Sequence, residues 1–283
     1  MTWVRRACMP DRCARGQTLN ANNHMKAFKS WRSYSLFERA IKHQSRYIHS
    51  TEVETFLQTV LKTAEGRIEG FPKDSILWRA QLGCGWRIEN EEVGEVPAPH
   101  EPERMCPRTG RATEGRANPK GIPFLYLASN RETALAEVRP WVGSYVSVGQ
   151  FKIVREIKVV NCTTDQRKGF TFYFNEPSPK KREEGVWSDI DKAFAKPVTP
   201  TDDVANYVPT QVLAEFFKSK GLDGIGYRSS LGDGYNIALF DINSAEIINC
   251  FLYVVDGIKF DFSEGANPYY LTRHYKKKKR KGA

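Results

Sequence analysis

Arg116, Tyr126 and Glu137 follow one another at intervals of about ten residues in "GRANPKGIPFLYLASNRETALAEV", residues 115–138. A guanidinium in a glycine-flanked loop can grip a phosphate through two parallel hydrogen bonds. An aromatic face on a strand can pack against a planar ring. A carboxylate can stabilise positive charge that builds up at an anomeric carbon. One reaction class uses all three, cleavage of the glycosidic bond of a nicotinamide dinucleotide, and it needs neither a metal nor a nucleophilic cysteine. The spacing does not by itself select that chemistry. Each residue also has a plain structural role open to it: a solvated loop arginine, a core tyrosine, and a glutamate paired with Arg131 or Arg139.

Two features argue against wholly structural roles. In "SNRET", Ser129 and Glu132 read as an S-x-x-E capping box that starts a helix at Asn130. Pro140 stops it, which puts Glu137 in the last turn. The carbonyl end of a helix disfavours a carboxylate there by roughly 0.3–1 kcal/mol. Glu137 also borders the apolar face formed by Ala134, Val138 and Trp141, so its position is mildly costly twice over. The second feature is Arg79, inside the apolar run "LWRAQL". An arginine in a strand expected to be buried needs an anionic partner or a cleft.

These residues need a folded frame, and the composition supplies one. With 283 residues, 40% of them hydrophobic, the chain can bury a full core. Aromatic residues at 12% exclude disorder of the whole. No apolar run approaches the ~18 residues that span a bilayer. The opening "MTWVRRACMPDRCARG" lacks the apolar segment of a secretory signal, so the expected compartment is the cytosol. The net charge of +10 sits at the two ends. Residues 1–32 hold seven basic residues and one acidic one, and "KKKKRK", 276–281, holds six more, leaving 30 basic against 32 acidic residues between them. Nucleic-acid binding is therefore not expected beyond weak contacts by the basic ends. Six cysteines, at 8, 13, 84, 106, 162 and 250, make no C-x-x-C pair and match no common zinc spacing with His100, so no metal site is expected.

Along the chain, residues 1–30 read as a disordered basic leader, with Met25 as a second candidate start. Helical spacing of Trp31, Tyr34, Phe37 and Ile41, then of Val53, Phe56, Leu57, Val60 and Leu61, predicts a helical segment over 31–70. The break falls near "RYIHST", with Ser50 or Thr51 as the second cap. "GFPKDS" ends that segment. "SILWRAQL" and "IPFLYLAS" read as strands, and residues 89–114, rich in proline, glycine and charge, as a long aperiodic loop that is functional or mobile. "SYVSVGQFKIVREIKVVNC" gives one or two strands, and a mixed polar region runs to about 200. "VPTQVLAEFFKSKG" is an amphipathic helix ended by Gly221. "DGIGYRSS", "GYNIALFD" and "AEIINCFLYVV" close as strands. Strands outnumber helices and neighbouring ones look hairpin-linked, which predicts an α+β fold rather than a doubly wound sheet.

"LWRAQ", the 115–138 stretch and "VPTQVLAEFFKSKGLDGIGYRSSLGDGYNIALF" together resemble the RES-domain family, named for its arginine, glutamate and serine. The resemblance runs in order over roughly residues 75–245, which makes 71–275 the catalytic domain and 276–283 a basic tail. It implies mixed or antiparallel sheets with flanking helices, related to the ADP-ribosyltransferases. It implies NAD as substrate rather than as a resident cofactor. It further implies a bacterial toxin paired with an Xre-like antitoxin; a second copy of the chain is also a candidate partner. Position by position, the family's arginine, tyrosine and glutamate fall on Arg79, Tyr126 and Glu137, and its serine on Ser229, with Ser230 the poorer match. Arg116 and Asn118 match its "GRxN" element, Gln211 its helix-start glutamine and Asn236 its polar residue before the last motif strand. The implied roles are a pyrophosphate clamp for Arg79 and Arg116 and a nicotinamide platform for Tyr126. Glu137 would polarise the ribose 2′-hydroxyl, and Ser229 and Asn236 would bond the ribose or the glutamate. Water as acceptor gives an NAD glycohydrolase, and a protein side chain gives an ADP-ribosyltransferase. A non-catalytic binding protein on the same scaffold is the third reading. The long 89–114 loop, the helical segment and the basic tail depart from the minimal family domain.

Overall fold

Alternation along β5 (Leu125–Ala128) decides which side of the sheet carries the chemistry. Leu125 and Leu127 point into one core, with Phe71, Leu77, Phe151 and Ile153, while Tyr126 packs against the opposite core. The computed structural model describes residues 27–164, 175–196 and 204–259, with Phe262 and Gly265. The leader up to residue 26 and the tail 276–283 lie outside the described residues. Phe28, at the end of the leader, is buried, its ring 5.8 Å from that of Phe56.

The other strands are β1 (Ile68–Phe71), β2 (Ile76–Leu82), β3 (Gly85–Asn90), β4 (Gly94–Ala98), β6 (Tyr145–Ile153), β7 (Ile157–Asn161), β8 (Gly224–Arg228), β9 (Tyr235–Leu239) and β10 (Ala245–Val254). Eight form one sheet in the order β1-β7-β8-β9-β5-β2-β6-β10, and β3 and β4 pair separately as a hairpin. All neighbours are antiparallel except β7 and β8. The expected α+β class holds through the mostly antiparallel pairing, but the expected hairpin linkage does not. Within this sheet β8 and β9 are the one consecutive antiparallel pair among the described residues, and the other neighbours are far apart in the chain.

Helices α1 (Ser33–His43), α2 (Thr51–Ala64), α5 (Pro179–Ala195) and α6 (Val208–Ser219) pack together on the face that Tyr126 shares. The predicted helix pair is present, and Ser50 is the cap, its Oγ accepting from Val53 N at 3.4 Å. Gly221 ends α6 with φ +78°, as its position suggested.

Three readings are corrected. The 89–114 stretch is not a structureless loop. It carries the end of β3, all of β4 and the short helix α3 (Pro102–Met105). The polar stretch before residue 200 contains α5, whose Val186, Trp187, Ile190 and Phe194 are buried at helical spacing. Asp189, Asp191 and Lys192 between them dilute the pattern. The "GFPKDS" break is partly strand, since β1 runs through Phe71 before Asp74 turns the chain at φ +68°. Among the described residues no helix is long and apolar enough to cross a membrane.

Candidate active site

The sheet splits where the site lies. β2 and β5 share one paired position, Trp78 opposite Ala128, and diverge beyond it. Arg79 donates from Nη1 to the Tyr126 carbonyl at 3.1 Å, giving that oxygen a donor where the strand ladder has stopped. A cleft of about 580 Å³ opens here, a size suited to small ligands. Arg79, Arg116, Tyr126, Glu137 and Asn236 all line it. Arg139 and Lys196 line it as well, and Glu137 is the one carboxylate among the described lining residues.

Glu137 is the last residue of α4 (Arg131–Glu137). Its Oε1 accepts from Ser229 Oγ at 2.7 Å and from Asn236 Nδ2 at 2.6 Å. Oε2 has no hydrogen-bond partner among the described residues. The surface ion-pair reading gives way here, because Arg131 pairs with Glu132 at 3.0 Å and Glu137 makes no ion pair among the described residues. Ser229 is saturated: its hydroxyl donates to Glu137 and accepts from Leu231 N at 3.1 Å and Gly232 N at 3.0 Å. Ser230 lines the cleft, whereas Ser229 acts on it through the glutamate.

The helix that presents Glu137 is capped differently from the expectation. Asn130, not Ser129, is the N-cap, its Oδ1 accepting from Thr133 N at 2.7 Å. Ser129 Oγ instead accepts from Tyr235 N at 3.1 Å, tying the start of α4 to β9. Thr133 Oγ1 accepts from Gly234 N at 3.1 Å. The 229–234 turn therefore lies directly on α4, close enough that a Cβ on Gly234 would stand 2.5 Å from both Ser129 Oγ and Thr133 Oγ1. Gly234→Ala is expected to destabilise the fold by about 1–3 kcal/mol and to displace Ser229 from Glu137. Thermal melting checks the first effect and a structure of the variant the second, and an unchanged melting temperature would count against this packing.

The "GRAN" loop is held from below. Tyr126 donates from its hydroxyl to Asn118 Oδ1 at 2.7 Å and accepts from Ala117 N at 3.0 Å. Burial drives its phenol well above the usual tyrosine range, so it stays protonated. Asn118 donates to the carbonyls of Thr113, Pro119 and Ile122. Gln211 donates to Glu114 Oε1 at 3.0 Å and to the Gly115 and Asn118 carbonyls at 2.9 and 3.1 Å. Asn118 and Gln211 are buried behind the cleft and do not line it. They shape the loop that presents Arg116. Gly115 admits this arrangement, since a Cβ there would lie 2.6 Å from both Asn118 Oδ1 and the Tyr126 hydroxyl. The Arg116 guanidinium stacks over the Tyr207 ring at 4.8 Å.

Arg79 meets the cleft alternative of its sequence reading. No carboxylate pairs with it among the described residues, its Nε is buried without a partner, and burial lowers its pKa. Residue-by-residue reading missed Tyr227, Arg139, Lys196, Phe194 and Trp78, all of which line the cleft. Tyr227 alone carried a signal, standing near the end of β8 two residues before Ser229. Arg139 holds φ +47°, uncommon for a residue with a side chain and a form of local strain that clusters at functional sites.

Comparison with curated proteins gives no match. Among solved structures, a chain of the M. tuberculosis MbcT–MbcA toxin–antitoxin complex is similar, with a TM-score of 0.40 and 13% identity. The match covers 69% of this chain and 92% of that one. The RES domain model matches residues 85–262, more than half the chain, beginning six residues after Arg79. The chain belongs to the RES domain family.

Proposed function

We propose that this protein cleaves the nicotinamide–ribose bond of NAD and acts as a growth-inhibiting cytosolic toxin restrained by an Xre-like antitoxin. The observation that carries the reading is the Glu137 carboxylate. One of its oxygens is pinned by Ser229 and Asn236, and the other has no partner among the described residues, in a cleft whose lining includes cations and aromatic faces. Pinning fixes the orientation of the carboxylate before substrate arrives, so little reorganisation is needed as charge develops. Arg79 and Arg116 hold the pyrophosphate, and Tyr126 offers its ring to nicotinamide.

In the step itself, the bond from C1′ to the nicotinamide nitrogen breaks and its electron pair leaves with neutral nicotinamide. Glu137 Oε2 accepts a hydrogen bond from the ribose 2′-hydroxyl and stabilises the oxocarbenium-like C1′. Water adds at C1′ and gives up a proton, so the products are nicotinamide, ADP-ribose and one proton. Purified protein incubated with NAD labelled in its adenosine half tests this. Equal release of nicotinamide and free ADP-ribose is expected. Label retained on a protein would instead indicate transfer, as in an ADP-ribosyltransferase. No release of nicotinamide would sink the enzymatic reading and favour a binding role.

A further inference from the structure

Tyr227 is the tyrosine at the cleft whose hydroxyl is uncommitted among the described residues. The ring is clamped, stacking on Phe194 with centroids 5.7 Å apart and planes 28° apart. Only 7% of the residue is exposed, yet it lines the cleft. Its hydroxyl has no hydrogen-bond partner among the described residues. The Tyr126 hydroxyl, by contrast, both donates and accepts within the fold. The hydroxyl is not among the fully buried atoms, so a ring that is almost wholly buried keeps an unpartnered polar tip accessible at the cleft, and that calls for an explanation.

Its neighbours supply one. Tyr227 on β8 lies directly opposite Asn236 on β9, so their side chains share a face of the sheet at close range. Asn236 is the residue that donates to Glu137 at 2.6 Å. Burial first, then the neighbouring Tyr126 and Glu137, hold the Tyr227 phenol well above its ordinary range. It therefore remains an O–H donor at any physiological pH, next to an acceptor-only carboxylate. Donor and acceptor side by side in one cleft suit a polyhydroxylated ligand, in which one hydroxyl gives a proton and its neighbour's oxygen receives one.

We propose that Tyr227 is a substrate-binding residue whose hydroxyl donates to a hydroxyl oxygen of the nicotinamide-side ribose, next to the hydroxyl taken by Glu137. The inference rests on the NAD-cleaving reading above. It assigns Tyr227 a direct substrate contact and Ser229 a positioning role through the glutamate.

Tyr227→Phe tests it, because phenylalanine keeps the stack on Phe194 and removes only the oxygen. Expected are a melting temperature unchanged or raised and a fall of about tenfold in kcat/KM for NAD, the scale of one hydrogen bond to a ligand. In the Glu137→Gln background, which holds NAD uncleaved, the rise in melting temperature on adding NAD should also shrink when Tyr227→Phe is combined. Unchanged kcat/KM together with an unchanged NAD-induced rise overturns the proposal. So does a lowered melting temperature with full activity in the folded fraction, which marks a purely structural hydroxyl. If wild type neither cleaves NAD nor is stabilised by it, the parent reading fails and takes this one with it. If wild type passes and only Tyr227→Phe is silent, the parent reading stands alone.

Discussion

Glu137→Gln is expected to lower nicotinamide release from NAD by roughly 10³-fold, the scale for removing one group aimed at charge that develops in the transition state. The substitution is close to isosteric. A glutamine carbonyl in place of Oε1 still accepts from Ser229 Oγ and Asn236 Nδ2, so the two bonds that organise the site survive. The amide nitrogen then takes the place of Oε2, facing the cleft. It carries no negative charge and offers a hydrogen where the ribose hydroxyl needs an acceptor. Ground-state binding should change little, because pyrophosphate and aromatic contacts are untouched. The loss therefore falls on kcat rather than KM. Melting temperature should stay within about 2 °C of wild type, as befits a change at an exposed helix end. A stopped assay for nicotinamide, with a melt on the same sample, checks both. A stable variant that retains more than a tenth of wild-type turnover would remove Glu137 from the chemistry.

Arg79→Met should separate binding from stability. In the folded protein the guanidinium bears the cost of burial without a carboxylate among the described residues to offset it, and gains one bond to the Tyr126 carbonyl at 3.1 Å. Methionine of similar length removes the desolvation cost and fills the same space, at the loss of that bond, worth about 1 kcal/mol. The two effects oppose each other, and a change in stability within about 1 kcal/mol is expected, of either sign. NAD affinity should behave quite differently. A charge-assisted guanidinium–phosphate contact contributes about 1.5–3 kcal/mol, so Kd should rise by roughly 10- to 100-fold. Calorimetric titration of NAD into Glu137→Gln with and without Arg79→Met reads it directly. Arg79→Lys should fall between the two, since an ammonium keeps the charge but not the paired donors. Wild-type affinity in Arg79→Met would leave the arginine as a plug in the sheet split, stabilising Tyr126 and nothing more.

Both experiments start from residues that were visible in the chain, for reasons that are local. A glutamate in the last turn of a helix and an arginine in an apolar strand each break a pattern that neighbouring residues define. The helical pair, its Ser50 cap, the strand alternation that turns Tyr126 away from Leu125 and Leu127, and the Gly221 stop follow from the same short-range rules. Where an element was missed, the local signal was diluted. In α5 Asp189, Asp191 and Lys192 interrupt the buried apolar side chains, and in β3–β4 prolines and glutamates mask a hairpin whose paired strands are short.

What short-range rules could not decide is who meets whom. The partners of Glu137 lie 92 and 99 residues away in sequence, Ser229 on a turn whose approach depends on a glycine packed against Thr133 and Asn236 on β9. Nothing near residue 137 encodes that meeting, since it depends on the order β8-β9-β5 in the sheet. The cleft exists because β2 and β5 pair at one position and part, a property of two strands together and of neither alone. Asn118 and Gln211 show the same limit. Their types and places suggested ligand contact, and only the tertiary arrangement turned their polar groups inward to hold the loop. Sequence thus determined the elements and the residues able to do chemistry, because these rest on contacts within a few positions. The tertiary structure decided which of them face the cleft and which hold it in shape, because that depends on contacts the chain makes only once the sheet is assembled.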